Sequence, residues 1–251
     1  MLLDFDGTLV PVSANRDDVN LDPAVRRVLR RLVRRPGWRL FVMSGRRLAD
    51  LRERVRVPGI RLLGLHGWER RGAVLPPNEK QVLHQAKGWL TQRLPAPPGI
   101  ELEDKRYAIA VHYRGAKLPV VRVAERVMLA AAKNFRPALH LLKGKQIWEL
   151  LPRAILGKGP TTQSILRDLP AGTLPIFIGD DTSDESAFAV IQHGLAVHVG
   201  RRTKTNANLY LRDPGEVREF LERLEAVTAC KQPKPHSNSL RHRTWSASCR
   251  T

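Results

Sequence analysis

Short apolar runs alternate with amphipathic segments toward both ends of the chain. Residues 1–5 form an apolar run that predicts a strand, and apolar positions at helical spacing predict a helix over residues 23–33. The same alternation predicts further strands over 39–43, 61–65, 175–178 and 195–199, and further helices over 47–54, 161–169, 183–193 and 214–224. Strands that alternate with helices build a parallel sheet covered on both faces, so we expect a doubly wound α/β fold.

The middle of the chain has a different pattern. A helix is predicted over 79–94 and is followed by two consecutive strands over 101–106 and 108–114. The pattern then repeats with a helix over 120–133 and a strand pair over 138–142 and 146–150, turning at Lys143-Gly144-Lys145. We therefore expect a small α+β domain, residues 77–150, inserted as a cap into a Rossmann-like core formed by residues 1–76 and 151–227.

The C-terminal residues 228–251 lack apolar periodicity. They carry five basic residues and no acidic one, and they are rich in Ser, Pro and His, so a disordered basic tail is predicted. The two cysteines, Cys230 and Cys249, both lie in this tail, which excludes a disulfide framework and agrees with a reducing, cytoplasmic location. The early acidic residues argue against a secretory signal, and no apolar run is long enough for a membrane helix.

The net charge of the chain favours some classes of binding partner but does not identify one. Lys and Arg number 43 against 24 Asp and Glu in 251 residues, a net charge of +19. Such a chain favours acidic partners: nucleic acid, an anionic membrane or a phosphorylated small molecule. Zinc-finger and RNA-recognition motifs are absent and aromatic residues make up only 6%, which disfavours nucleic acid. The best evidence for that alternative is a basic helix face formed by Arg26, Arg27, Arg30, Arg31, Arg34 and Arg35.

Acidic residues follow two of the predicted strands. Asp4 and Asp6 precede Gly7 at the end of the first strand, where one carboxylate could attack phosphorus and the other could handle a proton. The segment Gly179-Asp180-Asp181-Thr182-Ser183-Asp184-Glu185 follows a later strand. Clustered carboxylates are costly without a cation, so these two strand ends indicate a hard, oxygen-preferring metal.

Two weaker signals complete the set. Ser44-Gly45-Arg46 follows the second strand, where a hydroxyl and adjacent amides can hold a phosphate oxygen. Lys158 lies in Gly157-Lys158-Gly159-Pro160, directly before a predicted helix, where an ammonium group could neutralise phosphate. A turn or a solvated lysine is the ordinary interpretation of either signal alone.

In this order, the four segments resemble the motifs of the haloacid dehalogenase phosphatase superfamily. A narrower resemblance, to the trehalose-6-phosphate phosphatases, rests on Gly64-Leu65-His66-Gly67-Trp68-Glu69, Glu103-x-Lys105, Val111-His112-Tyr113-Arg114 and Trp148-Glu149-Leu150. The resemblance implies hydrolysis of trehalose-6-phosphate in trehalose biosynthesis, by a monomer, through an aspartyl-phosphate. Another sugar phosphate, such as sucrose phosphate or a hexose phosphate, is the main alternative substrate.

The resemblance also implies roles for individual residues. Asp4 would be the nucleophile and Asp6 the general acid and base, while Mg²⁺ would be held by Asp4, Asp180 and the backbone carbonyl of Asp6. Asp181 and Asp184 would support these ligands. The phosphate would be bound by Thr8, Ser44, Gly45 and Lys158. The sugar would be bound by Arg46, His66, Glu103, Lys105, Arg114 and Glu149.

Overall fold

The computed structural model describes residues 1–13, 18–70, 72–96, 98–201 and 204–229. Of residue 229 it describes the backbone alone. Within these residues, a parallel sheet has the strand order β10-β9-β8-β1-β2-β3. Its strands are β1 (Leu2–Leu3), β2 (Phe41–Met43), β3 (Arg61–Leu63), β8 (Ile176–Gly179), β9 (Leu195–Val199) and β10 (Leu209–Leu211). The strand β1 pairs in parallel with both β2 and β8, so the chain order reverses at the centre of the sheet.

Helices cover both faces of this sheet because its strands are apolar on both sides. Leu3 packs with the cluster under α1 (Pro23–Val33), α2 (Leu48–Val55) and α7 (Pro214–Ala229), whereas Leu2 faces α5 (Lys158–Arg167) and α6 (Glu185–Phe188). Successive side chains of a strand point to opposite faces, which explains this division. The predicted doubly wound α/β fold is confirmed.

A second, antiparallel sheet has the order β4-β5-β7-β6. Its strands are β4 (Glu101–Asp104), β5 (Ile109–His112), β6 (Leu139–Gly144) and β7 (Ile147–Pro152), and its helices are α3 (Pro77–Arg93) and α4 (Leu118–Asn134). Trp148 and Leu150 point toward these helices and join their apolar cluster. Alternation along β7 therefore turns Glu149 and Leu151 to the opposite face, where Leu151 meets Leu65 of the parallel domain.

The structure differs from the sequence predictions at four places. The helix predicted over 183–193 is wrong: a 3₁₀ turn at Thr182–Asp184 leads into α6, which ends at Phe188. The chain turns back there, and Gly194 lies so close to the Pro175 carbonyl that a Cβ would be 2.3 Å from its oxygen. The edge strand β10 was not predicted, because its three residues carry too short an apolar pattern.

The hairpin between β6 and β7 turns one residue later than predicted. Gly144 belongs to β6, and the turn lies at Lys145 and Gln146. A Cβ on Gly144 would be 2.8 Å from Asp181 Oδ2, so this glycine permits a close approach between the two domains and does not form the bend.

The tail does not begin at Thr228 as predicted. Helix α7 continues to Ala229, and the Thr228 hydroxyl accepts a hydrogen bond from Arg35 Nη1 at 2.8 Å. Residues 230–251 lie outside the described part of the chain.

The basic face of α1 takes part in internal contacts. Arg26 donates to the backbone carbonyls of Leu21, Arg54 and Val55, and Arg35 pairs with Glu225. No helix in the described part of the chain is long and apolar enough to cross a bilayer.

Candidate active site

Residues that follow the strands of the parallel sheet meet in one cavity. Asp4 follows β1, Ser44 follows β2 and Asp180 follows β8, while His66 lies in a 3₁₀ turn after β3. The carboxyl ends of parallel strands open at the same edge of the sheet, and the reversal of chain order at β1 leaves a crevice there. The cavity has a volume of about 690 Å³ and is also lined by residues of the antiparallel sheet.

Lys158 joins two carboxylates at the base of this cavity. Its Nζ lies 2.6 Å from Asp4 Oδ1 and 2.7 Å from Asp184 Oδ1, and all three side chains are buried. Burial alone would lower the pKa of Lys158, but Asp184 and Asp4 raise it, so the lysine is a permanent cation. Burial raises the pKa of Asp4 well above its ordinary value, and Asp184 and Asp180 add to this shift against the effect of Lys158.

A third carboxylate completes an acidic cluster. Oxygen atoms of Asp4, Asp180 and Asp184 all lie within 4.8 Å of one another. Burial, followed by the charge of Asp184, raises the pKa of Asp180 to about 7. One buried oxygen of this group, Asp180 Oδ1, has no hydrogen-bond partner among the described residues. An unpartnered carboxylate oxygen in such a cluster fits an oxygen-preferring cation.

The hydrogen bonds separate the three acids by role. Asp184 accepts from Lys158 through Oδ1 and from the Asp181 backbone N–H through Oδ2, at 2.7 and 3.0 Å. Both of its oxygens are thus committed within the protein, whereas Asp180 keeps an unpartnered one. This difference favours Asp4 and Asp180 as direct ligands of a cation and Asp184 as the residue that holds Lys158 and the Asp181 loop.

Asp6 faces a single guanidinium group. Arg46 donates from Nε to Asp6 Oδ2 and from Nη2 to Asp6 Oδ1, both at 2.7 Å. Such a two-pronged ion pair fixes the plane of the carboxylate as well as its position. Asp6 and Arg46 both line the cavity, so the structure places the predicted acid–base residue beside the predicted nucleophile.

The predicted phosphate contacts divide into two groups. Ser44, Gly45 and Lys158 line the cavity, and Ser44 Oγ accepts from the Arg46 backbone N–H at 3.1 Å. Thr8, in contrast, is fully buried and is absent from the cavity lining. Its hydroxyl has no hydrogen-bond partner in the described part of the chain.

Glu149 links the two domains from the cap side. One of its oxygens lies 2.6 Å from Lys105 Nζ and the other 2.5 Å from His66 Nε2. Lys105 also donates to the Gly45 carbonyl at 2.9 Å. Burial alone would raise the pKa of Glu149, but Lys105 and His66 hold it well below its ordinary value. Two predicted sugar contacts, Glu149 and Lys105, therefore contact groups of the core domain.

The remaining predicted sugar contacts lie nearer the rim. Glu103 Oε2 is 2.8 Å from His112 Nε2 and 4.0 Å from Lys105 Nζ. Arg114 donates to the backbone carbonyl of Ser13, which is another contact between the two domains. All of these side chains line the same cavity as Asp4, so the structure brings the predicted sugar residues to the predicted catalytic ones.

Lys145 and Asp50 also line the cavity and were not among the predicted site residues. The Lys145 backbone N–H donates to Asp181 Oδ1 at 2.8 Å, and the Nζ atom of Lys145 lies 3.4 Å from Asp180 Oδ2. Asp50 contacts Arg46. The signal for Asp50 was its place in Arg46-x-x-x-Asp50-x-x-x-Arg54, a helical spacing that pairs opposite charges. Lys145 carried no signal beyond its position in a predicted turn.

Solved structures with the same architecture include phosphatases. The C-terminal domain of a Candida albicans trehalose-6-phosphate phosphatase superposes with a TM-score of 0.76 at 23% identity, covering 90% of this chain and 92% of that one. A haloacid dehalogenase-like hydrolase from Bacteroides thetaiotaomicron gives a TM-score of 0.61 at 19% identity, with coverages of 89% and 98%. Identities this low establish the shared fold.

Sequence comparison gives a narrower result. The trehalose-phosphate phosphatases of Mycobacterium tuberculosis (strain H37Rv) and Mycobacterium bovis (strain AF2122/97) are each 36% identical over 245 residues, or 89% of this chain. The chain spans only 60% of the length of these relatives. The family model described as trehalose-phosphatase matches residues 2–214. This match takes in both sheets and every predicted site residue, and the chain belongs to the trehalose-phosphatase family.

Proposed function

We propose that this protein is a phosphatase that hydrolyses trehalose-6-phosphate to trehalose and phosphate. The observation that carries the proposal is the buried Asp4 carboxylate, which contacts Lys158 at the bottom of a cavity whose other wall is polar. A nucleophile at the sheet edge supplies the chemistry, and a polar wall across the cavity supplies recognition of a hydroxyl-rich leaving group. Family membership supports the same substrate.

The reaction proceeds in two displacements. A carboxylate oxygen of Asp4 attacks phosphorus, the bond from phosphorus to the sugar oxygen breaks, and its electron pair stays on that oxygen. Asp6 must enter this step protonated, with one of its two contacts to Arg46 given up. It then gives its proton to the leaving oxygen, which completes trehalose and leaves an aspartyl-phosphate. Asp6 then takes a proton from water as the water oxygen attacks phosphorus. The bond from phosphorus to the Asp4 oxygen breaks with its electron pair staying on that oxygen, which frees phosphate and restores the Asp4 carboxylate.

The phosphoryl oxygens need positive charge and hydrogen-bond donors around them. Lys158 supplies a fixed cation beside Asp4, and the Ser44 hydroxyl with the neighbouring Gly45 amide supplies donors. The Thr8 hydroxyl, without a partner in the described structure, stays a candidate donor only through a local rearrangement.

A magnesium ion fits the acidic cluster. Asp4 and Asp180 would hold it together with the backbone carbonyl of Asp6, and Asp181 and Asp184 would keep these ligands in place. When bound, the ion would supply positive charge that offsets the charge of the phosphoryl group. The unpartnered Asp180 Oδ1 and the raised pKa of Asp180 support this assignment.

The cap selects the sugar. Glu149 and Lys105 would exchange their contacts with His66 and Gly45 for sugar hydroxyls, and Glu103 and Arg114 would add contacts at the rim. A site with buried polar groups rejects a sugar that leaves them unpaired, whereas an apolar wall discriminates weakly. Arg46 and His66 border the sugar from the core side.

The proposal extends to the setting of the enzyme. The segments 1–76 and 151–227 act as the catalytic core, 77–150 as the cap, and the protein works as a monomer in the cytoplasm in trehalose biosynthesis. The scarcity of cysteine supports a reducing compartment.

Phosphate release from a panel of sugar phosphates tests the proposal. Trehalose-6-phosphate, sucrose-6-phosphate and glucose-6-phosphate are each supplied with Mg²⁺ or with excess chelator. We expect hydrolysis that needs Mg²⁺ and a kcat/KM for trehalose-6-phosphate at least about tenfold above that for the others. Equal rates on all three would reduce the proposal to a general sugar phosphatase, and no hydrolysis of any would refute it.

A further inference from the structure

A row of alternating charges runs from the cavity into the interior. Arg46 holds both oxygens of Asp6 through Nε and Nη2, and its remaining nitrogen, Nη1, donates to Asp50 Oδ2 at 2.8 Å. Arg54 Nε lies 2.5 Å from the other Asp50 oxygen. Asp50 therefore lies between two guanidinium groups, only one of which touches Asp6.

The inner end of this row is anchored. Arg54 is buried, and its Nη1 donates to the backbone carbonyl of Val19 at 2.6 Å. Asp50 and Arg54 are one helical turn apart on α2, which begins just after β2 and the Ser44 loop. Helix α2 fixes the spacing of Asp50 and Arg54, and the hydrogen bond to the Val19 carbonyl fixes how deeply the Arg54 side chain lies in the interior.

The rigid guanidinium group of Arg46 connects Asp50 to the orientation of Asp6. A guanidinium group is planar and rigid, so a bond at Nη1 sets the orientation of Nε and Nη2. The Phe5 ring, whose centroid is 5.6 Å from Arg46 Cζ, provides a second restraint. Removing the Asp50 charge would remove the restraint at Nη1, and the Asp6 carboxylate would shift together with the guanidinium group that binds it.

We infer that Asp50, held by Arg54, is a positioning residue that orients Arg46 and through it the Asp6 carboxylate for proton transfer. The inference rests on the proposed function, in which Asp6 protonates the leaving sugar oxygen. Asp50 acts through Arg46 and need not touch the phosphate. Its loss should therefore slow a first displacement that needs the proton of Asp6 and spare a first displacement that does not.

Substrates whose leaving groups differ in basicity distinguish a first displacement that needs the proton of Asp6 from one that does not. A sugar alkoxide is a poor leaving group and needs the proton of Asp6 as its bond to phosphorus breaks. The p-nitrophenolate anion is stable and leaves without a proton. Asp6 is the base of the second displacement for both substrates, so the difference lies in the first displacement. A misplaced Asp6 should slow single-turnover cleavage of a sugar phosphate much more than the first-turnover release of p-nitrophenolate.

The test compares Asp50→Asn with Glu53→Gln, measured on trehalose-6-phosphate and on p-nitrophenyl phosphate. Glu53 is an exposed acid on the same helix whose backbone carbonyl accepts from Arg56, so its variant matches the change in charge and position. For Asp50→Asn we expect kcat and the single-turnover cleavage rate on the sugar phosphate to fall about 10- to 100-fold with KM changed less than about threefold. The loss in the first-turnover rate of p-nitrophenolate release should be below about threefold, and Glu53→Gln should resemble wild type on both substrates.

Equal losses on both substrates, or no loss on either, would overturn the inference. If Asp50→Asn lowers the melting temperature so far that it is unfolded at the assay temperature, Arg54→Lys replaces it, since a buried cation is kept while the planar fork is lost. This variant should show the same selective loss. Failure of the proposed function gives a different result, because wild-type protein would then not hydrolyse trehalose-6-phosphate, whatever its rate on p-nitrophenyl phosphate.

Discussion

The two walls of the cavity hold their charges in different ways. On the core wall, the side chains of Asp4, Lys158 and Asp184 are at most 6% exposed and bond to one another, and each belongs to the parallel domain. On the cap wall, Glu149 and Lys105 are equally buried, but their partners include His66 and Gly45 from the other domain. The group formed by Asp4, Lys158 and Asp184 thus has these partners within the parallel domain, whereas the inner cap group is completed by contact between the domains. Asp180 on the core wall also lies 3.4 Å from Lys145 Nζ of the cap.

Under the proposed function, this difference would give the two walls separate tasks. Charges fixed within one domain keep a constant geometry, which suits bond making at phosphorus. Charges whose partners lie across a domain boundary can exchange those partners for hydroxyls of a sugar. Catalysis should therefore depend on the core wall for every phosphate ester, and specificity should depend on the cap wall.

The largest effect is expected from Asp4→Asn. The amide has nearly the same shape but is a far poorer nucleophile, so turnover should fall by at least about a thousandfold on sugar and aryl phosphates alike. Phosphate release measures the loss, and circular dichroism checks that the fold persists. Retention of near-wild-type activity in a folded variant would exclude covalent catalysis by Asp4.

Magnesium should change the stability of the core wall without any substrate. Mg²⁺ should raise the melting temperature of wild-type protein by relieving repulsion among Asp4, Asp180 and Asp184. Asp180→Asn should lose this response, because the variant lacks the carboxylate whose Oδ1 is unpartnered. Asp168→Asn, on a surface turn after α5, is the control and should keep it. An equal shift in both variants would place the ion elsewhere.

Glu149→Gln should change how stability depends on pH. The pKa of Glu149 is lower in the folded protein than its ordinary value of 4.5, so the carboxylate stabilises the fold above about pH 5. This contribution is lost as the pH falls below 4.5 toward the folded pKa. At pH 7 we expect the free energy of unfolding of wild type to exceed that of the variant by about 2–4 kcal/mol. At pH 4 this difference should be smaller. Urea denaturation at both pH values measures the difference, and a constant gap would contradict it.

A smaller effect is expected at the end of α7. Thr228→Val removes the hydroxyl that accepts from Arg35, while Glu225 still pairs with that arginine. We expect a loss of about 0.5–1.5 kcal/mol in unfolding free energy and unchanged kcat/KM. Thr91→Val is a matched control, because Thr91 makes the same hydrogen bond to its own helix as Thr228, in its case to Lys87. An equal effect of both variants would remove any role for the contact with Arg35.

The core wall could be predicted from the sequence because its residues are tied to strand ends. Asp4, Ser44 and Asp180 each follow an apolar run, and the rule that parallel strands open at one edge brings them together. The roles of the cap residues came from family resemblance, since spacing along the chain does not reveal a partner such as His66, 83 residues from Glu149.

Contacts between the domains were beyond sequence reasoning. Gly144 suggested a turn, but its lack of a side chain serves the approach of Asp181 from the other domain. Helix α6 was overestimated because apolar spacing continued past the point where the chain turns back to β9. Both errors arise where tertiary packing overrides a local pattern.

The most direct test of the division between walls is the ratio of kcat/KM for trehalose-6-phosphate to that for p-nitrophenyl phosphate. It is measured for wild type and for the cap variants Glu103→Ala, Lys105→Ala and Glu149→Ala. Each cap variant should lower the ratio by at least about tenfold, because the aryl ester lacks the hydroxyls that these side chains would bind. An equal drop on both substrates, leaving the ratio unchanged, would show that these residues support the fold or the contact between domains, and it would contradict the assignment of specificity to the cap.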